Sequence, residues 1–245
     1  MTVLALTGTQ AALAADLPPG VVYPAFAPRF TFTGFYVGGT VGGVLASLNY
    51  IEAPSGAFGP AFGPEIAAVG TSSAAPRGVI GGIEAGYNWQ VGMFVLGFET
   101  DFSGWDLSAS SGVSSFGPTT LSATSSINSN WLFTARPRIG FANGNMLTYL
   151  TGGLAVSNIS LAQSILLSAA GPTLAGSASS TQLGWTAGGG VEYALSWNWF
   201  IKAEYLYVSF SNQTAAQVVS GGPGTGTLTG NLTGSIARAG FDYRF

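Results

Sequence analysis

The residues best suited to chemistry stand in alternating charged pairs. Glu99 and Asp101 are two apart, as are Arg136 and Arg138, Lys202 and Glu204, and Asp242 and Arg244, with Glu84, Glu192 and Arg238 as single members of the same set. A spacing of two places both side chains on one face of a β-strand. Two neighbouring carboxylates can act as general acid and base, which makes Glu99/Asp101 the catalytic option. That role needs one carboxyl held neutral, whereas a balanced supply of arginine favours ionisation of both. Two other uses of the set remain: a web of ion pairs filling an enclosed space, and a narrow path for ions through it. The chain has no histidine and no cysteine, which removes the Ser–His hydrolase arrangement, the usual zinc ligands and disulfides. Gly38-Gly39-Thr40-Val41-Gly42-Gly43 and Gly188-Gly189-Gly190 share the glycine content of phosphate loops but lack a following lysine and a strand-to-helix setting. Glycine in a strand allows close packing and tight curvature instead. No catalytic, cofactor-binding or metal-ligating residue is assigned.

The elements that must hold these charges have a period of two. Eight strands are predicted: Gly34–Leu48, Arg77–Trp89, Met93–Trp105, Asn130–Phe141, Met146–Asn158, Gln182–Leu195, Trp199–Phe210 and Gly234–Phe245. Each can cross a bilayer, since a tilted spanning strand needs about 9–11 residues. Gln90-Val91-Gly92, Asn143-Gly144-Asn145 and Ser196-Trp197-Asn198 are tight hairpin turns. Between them lie long segments rich in Ser, Thr, Gly, Ala and Pro, roughly 49–76, 106–129, 159–181 and 211–233. Their composition is that of loops whose bases extend the strands.

The faces of these strands decide the class. Phe94, Leu96, Phe98 and Phe102 oppose Glu99 and Asp101; Trp131, Phe133, Ile139 and Phe141 oppose Arg136 and Arg138. Trp199, Ile201, Tyr205 and Tyr207 oppose Lys202 and Glu204; Phe241, Tyr243 and Phe245 oppose Arg238, Asp242 and Arg244. Glu84 and Glu192 likewise sit opposite the apolar faces of their strands. All these charges therefore lie on the non-aromatic side, apolar-out and polar-in, the reverse of a soluble sandwich. Charged residues are only 7% of the chain, against about 25% in ordinary soluble domains. Mean hydropathy is +0.39, yet no run of about 18 apolar residues exists to form a spanning helix. A closed sheet is the remaining way to satisfy the backbone in lipid. The fold class is all-β: an eight-stranded antiparallel transmembrane up-and-down barrel, residues 34–245, with long extracellular loops and short periplasmic turns.

Aromatic residues mark two interfacial belts. Trp89, Phe94, Phe141, Tyr193, Trp199, Tyr243 and Phe245 lie near the short turns, and Trp105, Trp131, Trp185 and Phe210 near the long loops. Eight strands leave a lumen just wide enough to be filled by side chains. The charges Glu84, Glu99, Asp101, Arg136, Arg138, Glu192, Lys202, Glu204, Arg238, Asp242 and Arg244 all fall in the half nearer the short turns. Upstream, residues 1–14 read as a signal peptide shortened at its start, ending in the small-residue site Ala12-Leu13-Ala14. Residues 15–33 read as a proline-rich periplasmic tether. An even strand number puts both barrel termini in the periplasm of a Gram-negative cell. Seven basic residues and a net charge of −3 argue against nucleic-acid binding.

Four motifs carry a resemblance: Phe35-Tyr36-Val37-Gly38-Gly39, Gly188-Gly189-Gly190-Val191-Glu192-Tyr193-Ala194, Lys202-Ala203-Glu204-Tyr205-Leu206-Tyr207 and Arg238-Ala239-Gly240-Phe241-Asp242-Tyr243-Arg244-Phe245. The chain resembles the porin-family, eight-stranded outer-membrane surface proteins of alphaproteobacteria, the Brucella and rhizobial type, from about residue 34 to 245. The resemblance implies that Phe241, Tyr243 and Phe245 form the signal read by the barrel-assembly machinery. It also implies that a mature terminus at Ala15-Asp16 can be linked to peptidoglycan through the α-amine of Ala15. Such proteins are envelope components and surface antigens, often labelled porins. The leading function is accordingly a structural, non-enzymatic barrel stabilising the cell envelope, its lumen plugged by salt bridges, in contact with outer-membrane lipid and lipopolysaccharide. The alternatives are a narrow porin for small solutes and a loop-mediated adhesin that docks a neighbouring envelope protein.

Overall fold

Alternation of inward and outward side chains builds nearly every element of the molecule. The computed structural model describes residues 30–56, 59–115, 121–167, 173–220 and 224–245. Its elements in chain order are β1 (Gly34–Gly56), α1 (Gly59–Gly70), β2 (Ser72–Ala74), β3 (Arg77–Val91), β4 (Phe94–Ser115), β5 (Leu121–Asn143), β6 (Met146–Leu167), β7 (Thr173–Ala194), β8 (Trp199–Phe210), β9 (Gln213–Val219) and β10 (Gly224–Arg244). Neighbouring strands pair antiparallel, and β1 closes on β10 from Tyr36↔Arg244 to Gly56↔Gly224. β8 and β9 fill successive stretches of one position between β7 and β10, so the ring has 8 strands. Closure pairs the backbone all round, as a membrane-spanning sheet requires. Among the described residues no helix is long and apolar enough to cross a membrane.

The tight connections gather at one end, here the turn end, with Phe30 and Phe245. Gly92 and Gly144 adopt φ of 64° and 59° in the β3–β4 and β5–β6 hairpins, the left-handed conformation such turns need. At the opposite, lid end the strands run further than their spanning cores require. β4, β6 and β7 have 22 residues each and β1 and β5 have 23. At about 3.3 Å per residue such strands far exceed an apolar band about 25 Å tall. Much of the expected loop sequence is therefore strand. The physical reason is that Ser/Thr-rich alternation continues the barrel wall: Leu121, Ala123, Ser125 and Ile127 point in while Ser122, Thr124, Ser126 and Asn128 point out. A register shift between Asn128 and Leu132 flips the parity of β5, so the inward residues are odd above it and even below it.

The outward face is most densely apolar around the lower and middle barrel. Val41, Val79, Ile83, Phe98, Phe102, Ile139, Leu150, Leu183 and Ile201 are exposed there, a continuous patch far too apolar for water. Trp89, Phe94, Phe141, Tyr193, Trp199 and Phe245 are exposed near the turn end, where Phe94 and Phe141 meet edge-on at 6.1 Å. At the upper boundary Trp131 stacks with Phe102 at 6.0 Å and Trp185 packs on Tyr207 at 5.5 Å. Two members of the expected upper belt belong elsewhere. Trp105 and Phe210 are only 4% and 2% exposed and point into the lumen, where the Trp105 indole N–H donates to Ser129 Oγ. Their position in the alternation, on the same faces as Asp101 and Lys202, requires this.

The lumen is layered. An apolar cluster of Phe32, Val95, Ala142, Leu147, Tyr149, Ala194 and Phe200 lies at the turn end. The charged residues form the next layer. Above them Val44, Leu48, Ile80, Trp105, Leu132, Leu206, Val208, Phe210 and Ile236 belong to a larger apolar core. A third cluster, Leu121, Ala123, Ile165, Leu174 and Val219, packs under Ile66 and Val69 of α1. The end of the segment expected as a tether is thus built into the barrel: Phe32 is 1% exposed, and its backbone N–H donates to Gln90 Oε1 at 2.7 Å. Residues 1–29, which include the expected signal peptide and most of the tether, lie outside the described residues.

Candidate functional site

Every position of the ring contributes a side chain to the charged layer. β1 supplies Tyr36, β3 Glu84, β4 Glu99 and Asp101, β5 Thr134, Arg136 and Arg138, β6 Tyr149, β7 Glu192, β8 Lys202 and Glu204, and β10 Arg238. Register brings them level, because Glu84 pairs with Asp101, Glu99 with Arg136, Glu192 with Lys202 and Glu204 with Arg238 across adjacent strands. Three of these pairs set opposite charges face to face, the favourable cross-strand arrangement; the fourth, Glu84 with Asp101, opposes two carboxylates, which Lys202 and Arg238 answer from across the lumen.

Arg136 lies at the centre and is fully buried. Its Nη2 donates to Glu99 Oε1 at 2.5 Å and to Asp101 Oδ2 at 3.1 Å, and its Nη1 to Glu204 Oε1 at 3.3 Å. Arg138 donates from Nη1 to Glu99 Oε2 at 3.1 Å and from Nη2 to Glu192 Oε1 at 2.5 Å. Its guanidinium carbon stands 3.8 Å from the Tyr149 ring centroid, a cation–π contact in a dry setting. Lys202 Nζ donates to Glu99 Oε2 at 3.0 Å and pairs with Glu84. Arg238 donates from Nε to Glu204 Oε2 at 2.7 Å and from Nη1 to Asp101 Oδ1 at 3.1 Å. Neutral hydroxyls complete the carboxylates' coordination. Tyr36 Oη donates to Glu99 at 2.7 Å, Tyr149 Oη to Glu204 at 3.0 Å, and Thr134 Oγ1 to Asp101.

Charges removed from water need opposite charges and further hydrogen bonds to offset the cost of desolvation. The web supplies both, with Arg136, Arg138, Lys202 and Arg238 against Glu84, Glu99, Asp101, Glu192 and Glu204. Glu99 alone accepts from Arg136, Arg138, Lys202 and Tyr36, which leaves it poorly placed to relay a proton to a substrate.

Of the residues expected in the web, Arg244 stands apart from it and Asp242 lies at its edge, against Glu84. Arg244 turns down to the turn end, where its guanidinium donates to the carbonyls of Thr31 and Trp197 and lies 5.1 Å from the Phe30 ring and 5.2 Å from the Phe200 ring. It fastens the residues before β1 across the barrel mouth. Asp242 makes no ion pair within 4.0 Å among the described residues; it borders a cavity of about 10 Å³ with Asn88, Glu192, Tyr36 and Phe32, room for one water-sized molecule. The alternation put both residues on the inner face, but the turn-end position of Arg244 followed from the β1–β10 register. Tyr36, Thr134 and Tyr149 are members that charge counting misses. The available signal was parity, since Tyr36 falls on the face opposite Phe35 and Val37.

The aromatic C-terminus lies on the outer wall. Phe241 stacks on Trp199 at 4.8 Å, Tyr243 meets Trp199 at 4.9 Å and Phe245 at 5.1 Å, and Phe245 reaches Phe35 across the closing seam at 5.8 Å. Ala15 and Asp16 lie outside the described residues.

A closed ring with an apolar exterior and a paired, charged interior is the architecture of an outer-membrane barrel. Comparison with known families agrees over the whole chain: residues 1–245 match the outer membrane protein beta-barrel domain. The chain belongs to this family. It is similar to the 31 kDa outer-membrane immunogenic protein of Brucella melitensis biotype 1, with 31% identity over 239 residues, 96% of this chain and 93% of that protein. It is also similar to the 22 kDa outer membrane protein of Rhizobium leguminosarum bv. viciae, with 28% identity over 54% of this chain and 53% of that one. A solved structure it resembles is Neisserial surface protein A, at 17% identity and a TM-score of 0.35, covering 87% of this chain and 98% of that one. As a member of the outer-membrane barrel family, the protein resides in the outer membrane.

Proposed function

We propose that this outer-membrane barrel is a structural, surface-displayed component of the cell envelope whose lumen is occluded and whose N-terminal segment ties it to peptidoglycan. The observation that supports occlusion most strongly is the stacking of Phe32 and its neighbours, the ion-pair web and the Leu48–Leu132–Leu206 core along one lumen. A conducting path would have to cross two apolar layers, in which an ion loses its hydration without finding partners. Display at the surface is supported by the names of the Brucella relatives, which are outer-membrane immunogenic proteins. In the orientation usual for such barrels the short turns face the periplasm, which puts the lid end outside and both barrel termini inside. The C-terminal stack of Phe241, Tyr243 and Phe245 then serves as the assembly signal, and lipid and lipopolysaccharide surround the wall. The ion pairs act as a structural fastening, with no catalytic role for Glu99 and Asp101.

Planar-bilayer recording tests the occluded lumen. Folded protein, verified by its heat-modifiable gel mobility, is expected to show no discrete conductance steps. Reproducible, ion-selective steps would overturn occlusion and favour the narrow channel. The tether has its own measurement, mass spectrometry of peptides from lysozyme-digested, detergent-washed cell walls. A peptide beginning at Ala15 and bearing a muropeptide is expected; unmodified mature termini alone would remove the tether while leaving the structural reading of the barrel intact.

A further inference from the structure

Well above the apolar band, at the lid end, one buried carboxyl has no charge to answer it. Glu52 points inward from β1 opposite Leu228 and is 3% exposed. Neither of its carboxylate oxygens has a regular hydrogen-bond partner, and no cation contributes to its electrostatic surroundings. The side chain it reaches is Gln217 of β9, whose Oε1 is also buried and unpartnered. Both oxygens converge over Gly226, lying 2.6 and 3.0 Å from where a β-carbon on that glycine would stand. A proton on the Glu52 carboxyl would join two such buried acceptors.

The rest of the local network fixes which way the amides point. Gln217 Nε2 donates to Gln163 Oε1 at 2.8 Å, and Gln163 Nε2 donates to Ser125 Oγ at 2.8 Å and to the carbonyl of Gly70 at 3.0 Å. Turning Gln217 to offer its NH₂ to an ionised Glu52 would set its oxygen against Gln163 Oε1. Turning Gln163 as well would set that oxygen against the Gly70 carbonyl. With the amides in this order, Glu52 is the donor at the head of the chain.

Gly70 is the last residue of α1, the helix packed over the lid-end cluster by Ile66 and Val69. It rests directly on Glu52, since a β-carbon there would lie 2.7 Å from Glu52 Cβ and Cγ. Glu52's own backbone N–H donates to Thr71 Oγ1, just past the helix, at 3.3 Å.

We infer that Glu52 is a proton-operated latch: its neutral carboxyl, bonded through Gln217 and Gln163 to the end of α1, holds the helix down over the barrel mouth, and ionisation loosens it. The other ionisable groups on the elements packed around it do not supply a counter-charge. Tyr50, on the same strand, has a buried hydroxyl pushed well above its usual range by burial, so it stays neutral, while Glu65 of α1 and Arg77 at the start of β3 are exposed. Burial pushes the Glu52 carboxyl from 4.5 up to about 7, with the nearby Gln217 amide pulling the other way. The sign follows from linkage. Below about pH 4.5 the group is protonated whether α1 is seated or lifted, and the latch is at full strength. Between 4.5 and 7 the seated state keeps its proton while the lifted state loses it, so each pH unit weakens closure. Above 7 both are ionised and the contribution is gone, a change on the order of a hundredfold in the opening equilibrium.

Hydrogen–deuterium exchange of the full chain, folded in detergent micelles and corrected for intrinsic exchange rates, reads this equilibrium at residues 63–76. Opening is expected to rise about a hundredfold between pH 4.5 and 8 in the wild type. Glu52→Gln, whose amide donates to Gln217 Oε1 at any pH, is expected to stay protected throughout. Wild-type protection that is flat with pH overturns the latch, as does a pH dependence that persists in Glu52→Gln. Should that variant fail to fold, the wild-type profile decides on its own.

Discussion

Arg136→Met is expected to lower the stability of the folded barrel by about 3–5 kcal/mol, the usual cost of removing one partner from a buried ion pair. The methionine fills much of the arginine's volume, so packing changes little. What is lost is the cation that Glu99, Asp101 and Glu204 all share in a fully enclosed layer. Those carboxylates keep Arg138, Lys202 and Arg238, so the web becomes more negative without being emptied. Urea unfolding followed by tryptophan fluorescence, with gel mobility as a second probe, measures the effect. Pairing the change with Glu99→Gln removes one of the stranded charges, and the double variant is expected to lose less than the sum of the two single changes, by about 0.5–3 kcal/mol. Strict additivity would show that these residues do not act as a web. A loss under 1 kcal/mol for Arg136→Met would show that water reaches the layer and screens it.

Gly188→Val is expected to prevent folding or to destabilise the barrel by about 3 kcal/mol or more, the upper range for overpacking. A β-carbon on Gly188 would lie 2.0 Å from the carbonyl oxygen of Tyr205 and 2.9 Å from the Cα of Leu206. Both are backbone atoms of the neighbouring strand, and neither can move without breaking the β7–β8 ladder. The glycine lets the wall curve tightly enough for Leu206 to cross into the core. Gly39→Ala is the control, because its β-carbon meets nothing nearer than the Gly82 carbonyl at 3.6 Å and faces outward; a change within about 0.5 kcal/mol is expected there. Refolding yield into micelles and urea midpoints check both. Equal tolerance at the two positions would show that the wall is looser than its glycines indicate.

These two residues also mark how far the sequence carries. The eight-stranded closed barrel, the three tight turns and the inward face of every charged pair followed from period-two alternation, because in lipid one face of each strand must be apolar. Charges such as Glu99 and Arg136 are too costly to turn outward, so their parity alone located the lumen. Gly188 was legible as a wall residue but not as an obligatory one, since that depends on which backbone atoms of β8 lie against it.

Other features needed the register of strands distant in sequence. Counting charges grouped Arg244 with Glu99, yet the β1–β10 pairing sets it at the turn end, where it binds backbone carbonyls of the N-terminal segment and the β7–β8 connection. The upper lumen read as loop because its wall is rich in serine and threonine. Runs such as Tyr205-Leu206-Tyr207-Val208, apolar on both faces, are the local sign that the lumen there becomes a packed core. Trp105 and Phe210 were placed by residue type on the outer belt, although their parity already pointed inward. Glu52 carried no signal at all, standing as one acid in a segment that reads as a loop. A side chain's face is fixed by its neighbours along the chain, so the sequence by itself determined class, ring and inside-versus-outside. Its height in the barrel and its partners are fixed by strands up to the whole chain length away, and only the tertiary structure decided those.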